Sequence, residues 1–171
     1  MKLILVRHPQ PLVAPGVCYG STDLAVAPEQ LERTLAALQL PAGLPIYSSP
    51  LRRCAELAAR LSADVIHDAR LAEMHFGAWE MQPWDAIPRA DIDAWAADMV
   101  HYRPGGGDNV LHMAERIAAF HDELKGDAII ICHAGTMRLL RARHAGLPPA
   151  EMALQAAQTA HQIPYGSTLT L

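Results

Sequence analysis

Residues 128–132, Ala-Ile-Ile-Ile-Cys, form an unbroken apolar run rich in β-branched side chains. A short run without polar alternation predicts a strand buried on both faces. Such a strand needs helices above and below it, and so a largely parallel sheet inside an α/β fold. Lys2–Val6 has the same character. Each run leads into a histidine: Arg7-His8 follows the first and His133 the second. The segments between them alternate in kind. Glu29–Leu40 carries Leu31, Leu35 and Leu38 at helical spacing behind Pro28, and Pro41-Ala42-Gly43 stops it. Pro45–Ser48 predicts a second strand. Ser49 as cap and Pro50 at the first helical position then open a helix with Leu51, Ala55, Ala58 and Leu61 inward. Asp64–His67 predicts a third strand. Asp108 or Asn109, with Asp108 preferred, caps a helix that runs to about Lys125 and ends at Gly126. Gly135 to about Ala145 is helical, and Ser167–Leu171 is a last strand.

The stretch from Leu71 to Gly107 breaks this rhythm, with Gly77, Pro83, Pro88, Pro104 and the glycines at 105–107. It predicts an insertion with short helices near Trp84 and from Arg89 to Met99. The expected architecture is a three-layer α/β/α sandwich with a mostly parallel central sheet. Residues 1–171 form a single domain, with a lid-like insertion at about 74–107 over the site.

The formal net charge is −4 and the 14 Lys and Arg residues are scattered, unlike the basic stripe of a nucleic-acid binder. No apolar run is long enough to cross a membrane, and the start is too quickly charged for a signal peptide. Cys18, Cys54 and Cys132 make no pairing framework, which suits a reducing compartment. The expected location is the cytoplasm.

In open α/β sheets, ligands bind beyond the carboxyl ends of the strands. Arg7, His8 and His133 stand at two such ends. Arg52 and Arg53 follow the second strand at a helix start, a place that favours anions, and Glu73 comes after the third. A phosphate monoester carries about two negative charges near neutral pH. Attack on it needs a nucleophile with a free lone pair, cations over the phosphoryl oxygens and an acid for the leaving alkoxide. Neutral imidazole is such a nucleophile and needs no metal. Arg7, His8, Arg53, Glu73 and His133 fill these roles with no cofactor.

The motifs around these residues resemble those of the histidine phosphatase (phosphoglycerate mutase-like) superfamily. The family's strand and Arg-His-Gly correspond to Leu5-Val6-Arg7-His8-Pro9, and its Ser-Pro-Leu-x-Arg-Ala to Ser49-Pro50-Leu51-Arg52-Arg53-Cys54. The acid's stretch corresponds to Leu71-Ala72-Glu73-Met74-His75-Phe76-Gly77-Ala78-Trp79-Glu80. Gly106-Gly107-Asp108-Asn109 matches the segment before the long helix, and Cys132-His133-Ala134-Gly135 the second histidine motif. The resemblance implies a transient phosphohistidine on His8. It assigns Arg7, Arg53 and His133 to the phosphoryl oxygens and Glu73 to the acid and then the base. It implies a small-molecule phosphomonoester as partner. Two residues depart from the pattern. Pro9 replaces a glycine and lacks its N–H, and Pro11 replaces a threonine. The segment Gly16-Val17-Cys18-Tyr19-Gly20 with Asp23 resembles the α-ribazole phosphatase-like branch, which adds Tyr19 as a substrate-binding candidate.

Other readings stand beside this one. Cys132 to Arg138 is Cys, five residues, Arg between a strand and a helix, the signature of cysteine-dependent phosphatases. A phosphate-binding module without catalysis is a third reading, and Glu73 argues against it because binding needs no acid. Glu80 is a second acid candidate, better explained as a solvated loop carboxylate. The histidines at 67, 75, 101, 112, 121, 144 and 161 show no metal-ligand spacing. The insertion carries Glu80, Asp85, Asp91, Asp93 and Asp98 against Arg89 and Arg103, a poor match for a polyanionic substrate. It also holds Trp79, Trp84 and Trp95. They either pack the lid or stack an apolar or aromatic leaving group, as in a nucleoside-like monophosphate, and Trp79 is the candidate for that contact.

Overall fold

The run at 128–132 is the strand β4 (Ala128–Cys132), buried along its whole length. The computed structural model describes residues 1–159 and 162–171. β4 lies between β1 (Leu3–Arg7) and β2 (Ile46–Ser48), both parallel to it. β3 (Val65–His67) extends the sheet beyond β2 in parallel, and β5 (Thr168–Thr170) closes the other edge antiparallel to β1. The order is β3-β2-β4-β1-β5. Alternation along the buried strands divides the core. Leu3, Leu5, Ala128, Ile130 and Cys132 face one layer of helices: α4 (Val110–Glu123), α5 (Ala134–His144) and α6 (Pro149–Gln158). Ile4, Val6, Ile129 and Ile131 face α1 (Pro28–Ala37) and α2 (Arg52–Leu61) on the other side. The sheet is therefore the middle of three layers, as expected of an α/β/α sandwich.

Several boundaries differ from expectation, each for a local reason. α1 ends at Ala37 rather than Leu40, because Leu38 turns extended and packs with Leu40 and Leu44 against the α1–α2 side of the core. α2 begins at Arg52, with Leu51 as its cap residue. The Ser49 hydroxyl accepts from the Leu51 N–H at 3.3 Å and also faces His133, and the Asp23 carboxylate accepts from the Arg52 N–H at 2.7 Å. This later start rotates the inner face to Arg53, Cys54, Leu57 and Ala58. Asn109, not Asp108, caps α4 by accepting from the His112 N–H at 2.8 Å, while Asp108 accepts from the His75 N–H. The helix α6 and the short 3₁₀ turns at 69–71, 77–79 and 104–106 are not expected from the sequence.

The insertion forms the helix α3 (Arg89–Ala97) and a 3₁₀ turn at Trp84–Ala86. Its two ends lock together through glycines. Gly105 has φ +60°, and a Cβ there would sit 2.2 Å from the Phe76 carbonyl oxygen. Only glycine fits both demands. Inside the insertion, Trp79 and Ile87 pack with Cys18 from the loop after β1, and Phe76, Ile92, Trp95 and Tyr102 pack against them. Among the described residues, no helix is long and apolar enough to cross a membrane.

Candidate active site

β1 and β4 are neighbours whose following helices, α1 and α5, leave to opposite faces of the sheet. A crevice opens between such strands at their carboxyl ends. Arg7 pairs with Cys132 across the two strands, and the His8 N–H donates to the Cys132 carbonyl at 3.1 Å. The pairing carries His8 and His133 to adjacent positions, with ring centroids 5.0 Å apart. A cleft of about 420 Å³ opens here, walled by Arg7, His8, Tyr19, Arg53 and Glu73.

His8 Nδ1 lies 2.7 Å from the Pro9 carbonyl oxygen. A carbonyl only accepts, so Nδ1 carries the proton and Nε2 keeps its lone pair. Pro9 costs the loop an N–H, but its carbonyl sets the His8 tautomer. Burial, with Arg53 and Arg7 close by, lowers the His8 pKa to about 3. The imidazole is therefore neutral at physiological pH, as a nucleophile must be. Burial also takes His133 well below the usual histidine range. His133 Nε2 lies 2.8 Å from the Ser49 hydroxyl and 3.5 Å from the Cys54 sulfur. Ser49, expected as a helix cap, thus orients the second histidine.

Arg53 is fully buried on α2. Its guanidinium donates to the Thr22 carbonyl at 2.8 Å and to the Gly20 carbonyl. Arg7 donates to the Ile163 carbonyl and lies 4.0 Å from the centre of the Tyr165 ring. In both arginines the buried Nε–H has no partner among the described residues. Two orphaned cationic donors beside a neutral imidazole fit an anion that takes up both.

Glu80 is not a solvated carboxylate. It accepts from the N–H groups of Gly20 (3.0 Å), Ser21 (2.9 Å), Thr22 (3.3 Å) and Phe76 (2.9 Å), and from the Thr22 hydroxyl (2.5 Å). These hydrogen bonds outweigh burial and hold its pKa below the ordinary value. Glu80 thereby fixes the 20–22 loop whose carbonyls aim Arg53. Glu73 is held differently. Its Oε2 accepts from the Gly135 N–H at the start of α5, at 3.0 Å, and its Oε1 from the Met74 N–H at 3.0 Å. Arg116 on α4 donates to the Ala72 carbonyl at 2.6 Å, securing the segment that carries Glu73.

The tryptophans divide. Trp84 and Trp95 line the cleft, whereas Trp79 is 5% exposed, packed inside the insertion and absent from the cleft wall. Its indole is a support for the other two, not a surface for a ligand. The lid acids Asp85, Asp91, Asp93 and Asp98 are likewise absent from the cleft wall.

The geometry does not support a cysteine nucleophile. Cys132 is fully buried within β4, and burial raises its thiol pKa well above the ordinary value. α5 begins at Ala134, so no five-residue loop is left to wrap a phosphate. Arg138 does line the cleft, but its guanidinium donates to the carbonyls of Ala156 and Thr159. A buried, protonated thiol contributes no nucleophile, so Cys132→Ser is expected to change any turnover at this cleft by no more than about threefold in kcat, as a steady-state assay would measure. Among the described residues no cluster of three or more His, Cys, Asp or Glu side chains could hold a metal. His161 lies outside the described residues.

Residues 3–163 match the family model of the histidine phosphatase superfamily, branch 1. No curated protein matches the sequence. Among solved structures, the chain is similar to the protein TTHB049 of Thermus thermophilus, at 27% identity and a TM-score of 0.77, covering 100% of this chain and 92% of that one. A structure described as phosphoglycerate mutase from Thermus thermophilus gives 27% identity and a TM-score of 0.75 with the same coverage. A mycobacterial glucosyl-3-phosphoglycerate phosphatase complexed with VO3 shares the fold, at 24% identity and a TM-score of 0.78, covering 99% of this chain and 91% of that one.

Proposed function

The chain belongs to the histidine phosphatase superfamily, branch 1, and from that membership we propose that it hydrolyses a small-molecule phosphomonoester without a metal, through a phosphohistidine on His8. The observation that carries this reading is the His8 ring itself, neutral, proton on Nδ1, between two arginines with unsatisfied Nε–H groups. His8 Nε2 attacks phosphorus, forming the N–P bond as the ester P–O bond breaks. Glu73 gives its proton to the departing alkoxide oxygen. A water, deprotonated by Glu73, then attacks the phosphohistidine and releases inorganic phosphate and neutral His8. Arg7 and Arg53 hold the phosphoryl oxygens, where their charge and N–H groups favour the transition state; His133, fully buried and absent from the cleft wall, joins them once its Nε2 leaves the Ser49 hydroxyl. On this reading residues 1–171 act as one catalytic domain, with 74–107 as its lid.

The cleft wall argues for the leaving group. Beyond Glu73 it is built from Phe76, Trp84, Trp95, Met99, Met113 and Leu139. Among the described residues, Arg138 is the remaining cation on the wall, and its Nη2 is already shared between the Ala156 and Thr159 carbonyls. A glycerate carboxylate or a second phosphate is therefore poorly matched there, and burying an unpaired charge is costly. The substrate is therefore an ester of an uncharged, largely apolar or aromatic alcohol. A nucleoside-like monophosphate such as α-ribazole phosphate falls in this class, with its base against Trp84 and Trp95 and Tyr19 at the phosphate end.

A panel of phosphomonoesters tests this. Aromatic and nucleoside-like esters are expected to exceed 3-phosphoglycerate and 2,3-bisphosphoglycerate by at least about tenfold in kcat/KM, the discrimination expected from one or more unmatched charges. A preference for either glycerate phosphate would overturn the assignment of the leaving group.

A further inference from the structure

Tyr165 lies in the loop between α6 and β5, far in sequence from every motif above. It nevertheless reaches the phosphate end of the cleft. Its ring lies 4.0 Å from the Arg7 guanidinium carbon and 5.6 Å from the His8 ring. Its hydroxyl lies 2.6 Å from the Tyr19 hydroxyl, and the Tyr19 ring lies 5.5 Å from the Arg53 guanidinium carbon. The same loop anchors the nucleophile's strand, since the Gly166 N–H donates to the His8 carbonyl at 3.1 Å and Ile163 accepts from Arg7. Two phenols, carried by loops from opposite ends of the chain, thus meet over the two arginines that flank His8.

We propose that Tyr165 and Tyr19 form a clasp across the phosphate end of the cleft, with Tyr165 positioning Arg7 and the pair offering one O–H to a phosphoryl oxygen. The inference rests on the phosphatase reading above. Its second half follows from counting protons. Two facing hydroxyls carry two O–H groups, and their mutual hydrogen bond uses one. Among the described residues no second hydrogen bond engages either hydroxyl, so the other O–H is left over, in a wall shared with Arg7, His8 and Arg53. Both phenols are uncharged donors, so they add a hydrogen bond to a dianion without altering the charge balance of the site. The first half follows from the cation–π contact. A guanidinium held 4.0 Å from the centre of an aromatic ring loses little further freedom when it grips an anion. Arg7 is fixed on one side by the Tyr165 ring and at one nitrogen by the Ile163 carbonyl, which leaves its unpartnered Nε–H for the phosphoryl group.

The test is a double-mutant cycle on hydrolysis of p-nitrophenyl phosphate and on inhibition by inorganic phosphate. Tyr165→Phe keeps the ring over Arg7 and removes one hydroxyl; Tyr19→Phe removes the other. The variant that removes the hydroxyl donating to phosphate is expected to weaken phosphate inhibition about tenfold, the usual worth of a hydrogen bond to a charged group, and the other by about threefold, because it leaves that O–H in place without its orienting partner. The double variant is expected to be no worse than the poorer single one by more than about twofold, because the hydroxyls act as a unit. Tyr165→Ala is expected to lose a further factor of about five, from the cation–π contact. Tyr165→Leu, similar in bulk but without a π-face, is expected to behave like Tyr165→Ala, because the contact is electrostatic. Additive effects of Tyr165→Phe and Tyr19→Phe, or phosphate inhibition unchanged in both, would overturn the clasp. Tyr165→Leu behaving like Tyr165→Phe would overturn the Arg7 half. His8→Ala is assayed in parallel. If it too hydrolyses normally, the phosphatase reading has failed; if it is inactive while the Tyr variants are normal, only the clasp has.

Discussion

His8→Ala is expected to lower kcat by about 10⁴-fold or more, the scale seen when a covalent nucleophile is removed from a site whose binding groups remain. The variant should still bind inorganic phosphate, because Arg7, Arg53 and His133 stay in place. Rapid acid-free quenching with labelled substrate should trap a phosphorylated wild-type chain, with the label on His8, and none on the variant. The pH profile carries a second signature of the same residue. Imidazole loses its lone pair on protonation, so activity falls as pH drops through the His8 pKa. That pKa is held at about 3 by burial, Arg53 and Arg7. kcat/KM reports ionisations of the free enzyme. Once the substrate's own second ionisation near about pH 6 is divided out, no further acid limb should appear in the ordinary histidine range. An acid limb in that range that remained after this correction would contradict the neutral, buried nucleophile.

Gly135→Ala should imitate the loss of Glu73. A Cβ at 135 would stand 2.4 Å from Glu73 Oε1 and 3.1 Å from its carboxyl carbon. Both groups cannot occupy their places, so either the carboxylate swings away or the first turn of α5 shifts. Loss of a positioned general acid costs typically about 10²–10⁴-fold. The cost should depend on the leaving group. An alkyl phosphate releases a strongly basic alkoxide that needs the proton, whereas p-nitrophenolate leaves with little help. Glu73→Gln and Gly135→Ala are therefore both expected to lose about 10²-fold or more on alkyl esters and much less on p-nitrophenyl phosphate, in the step that forms phosphohistidine. Equal losses on the two substrates would point to a disturbed phosphate pocket instead of a displaced acid. Thermal denaturation of Gly135→Ala separates this from unfolding.

Much of the catalytic end is legible because strand ends are legible. An apolar β-branched run such as Ala128–Cys132 has few alternatives to a central strand, and the residue after it must emerge at the sheet's carboxyl edge. That logic reaches Arg7, His8 and His133 directly. The start of α2 falls later than its local signal, since Ser49-Pro50 marks a helix start and nothing local reveals that the Ser49 hydroxyl belongs to His133, 84 residues away. α6 escapes the sequence although Pro148-Pro149 with Glu151 marks a start. Its buried residues are only Met152 and Ala153, too narrow a stripe to show a period. Glu80 misleads in the opposite direction. A carboxylate in a Gly- and Pro-rich stretch usually faces water, and its partners Gly20–Thr22 lie about sixty residues earlier, written in backbone N–H groups that no side-chain pattern records. Tyr165 gives no signal at all, because a lone aromatic in a loop is common and its role depends on the antiparallel return of β5 beside β1. Trp79 and Trp84 carry the same local signal, yet only Trp84 reaches the cleft. Which face of an irregular insertion turns inward is decided by packing, here against Cys18 and Ile87.

Glu80 joins what the sheet had left separate. Much of the phosphate machinery hangs on strand ends, whereas Phe76, Trp84, Trp95 and Met99 of the apolar wall come from the inserted segment. The tryptophans and methionines of the wall are free to be exchanged in descent, changing which alcohol is accepted without touching the chemistry. Glu80, which reaches from the insertion back to the loop aiming Arg53, is not. A lineage that replaced the whole insertion would have to re-create that hold on the 20–22 loop before its new specificity had a working enzyme behind it.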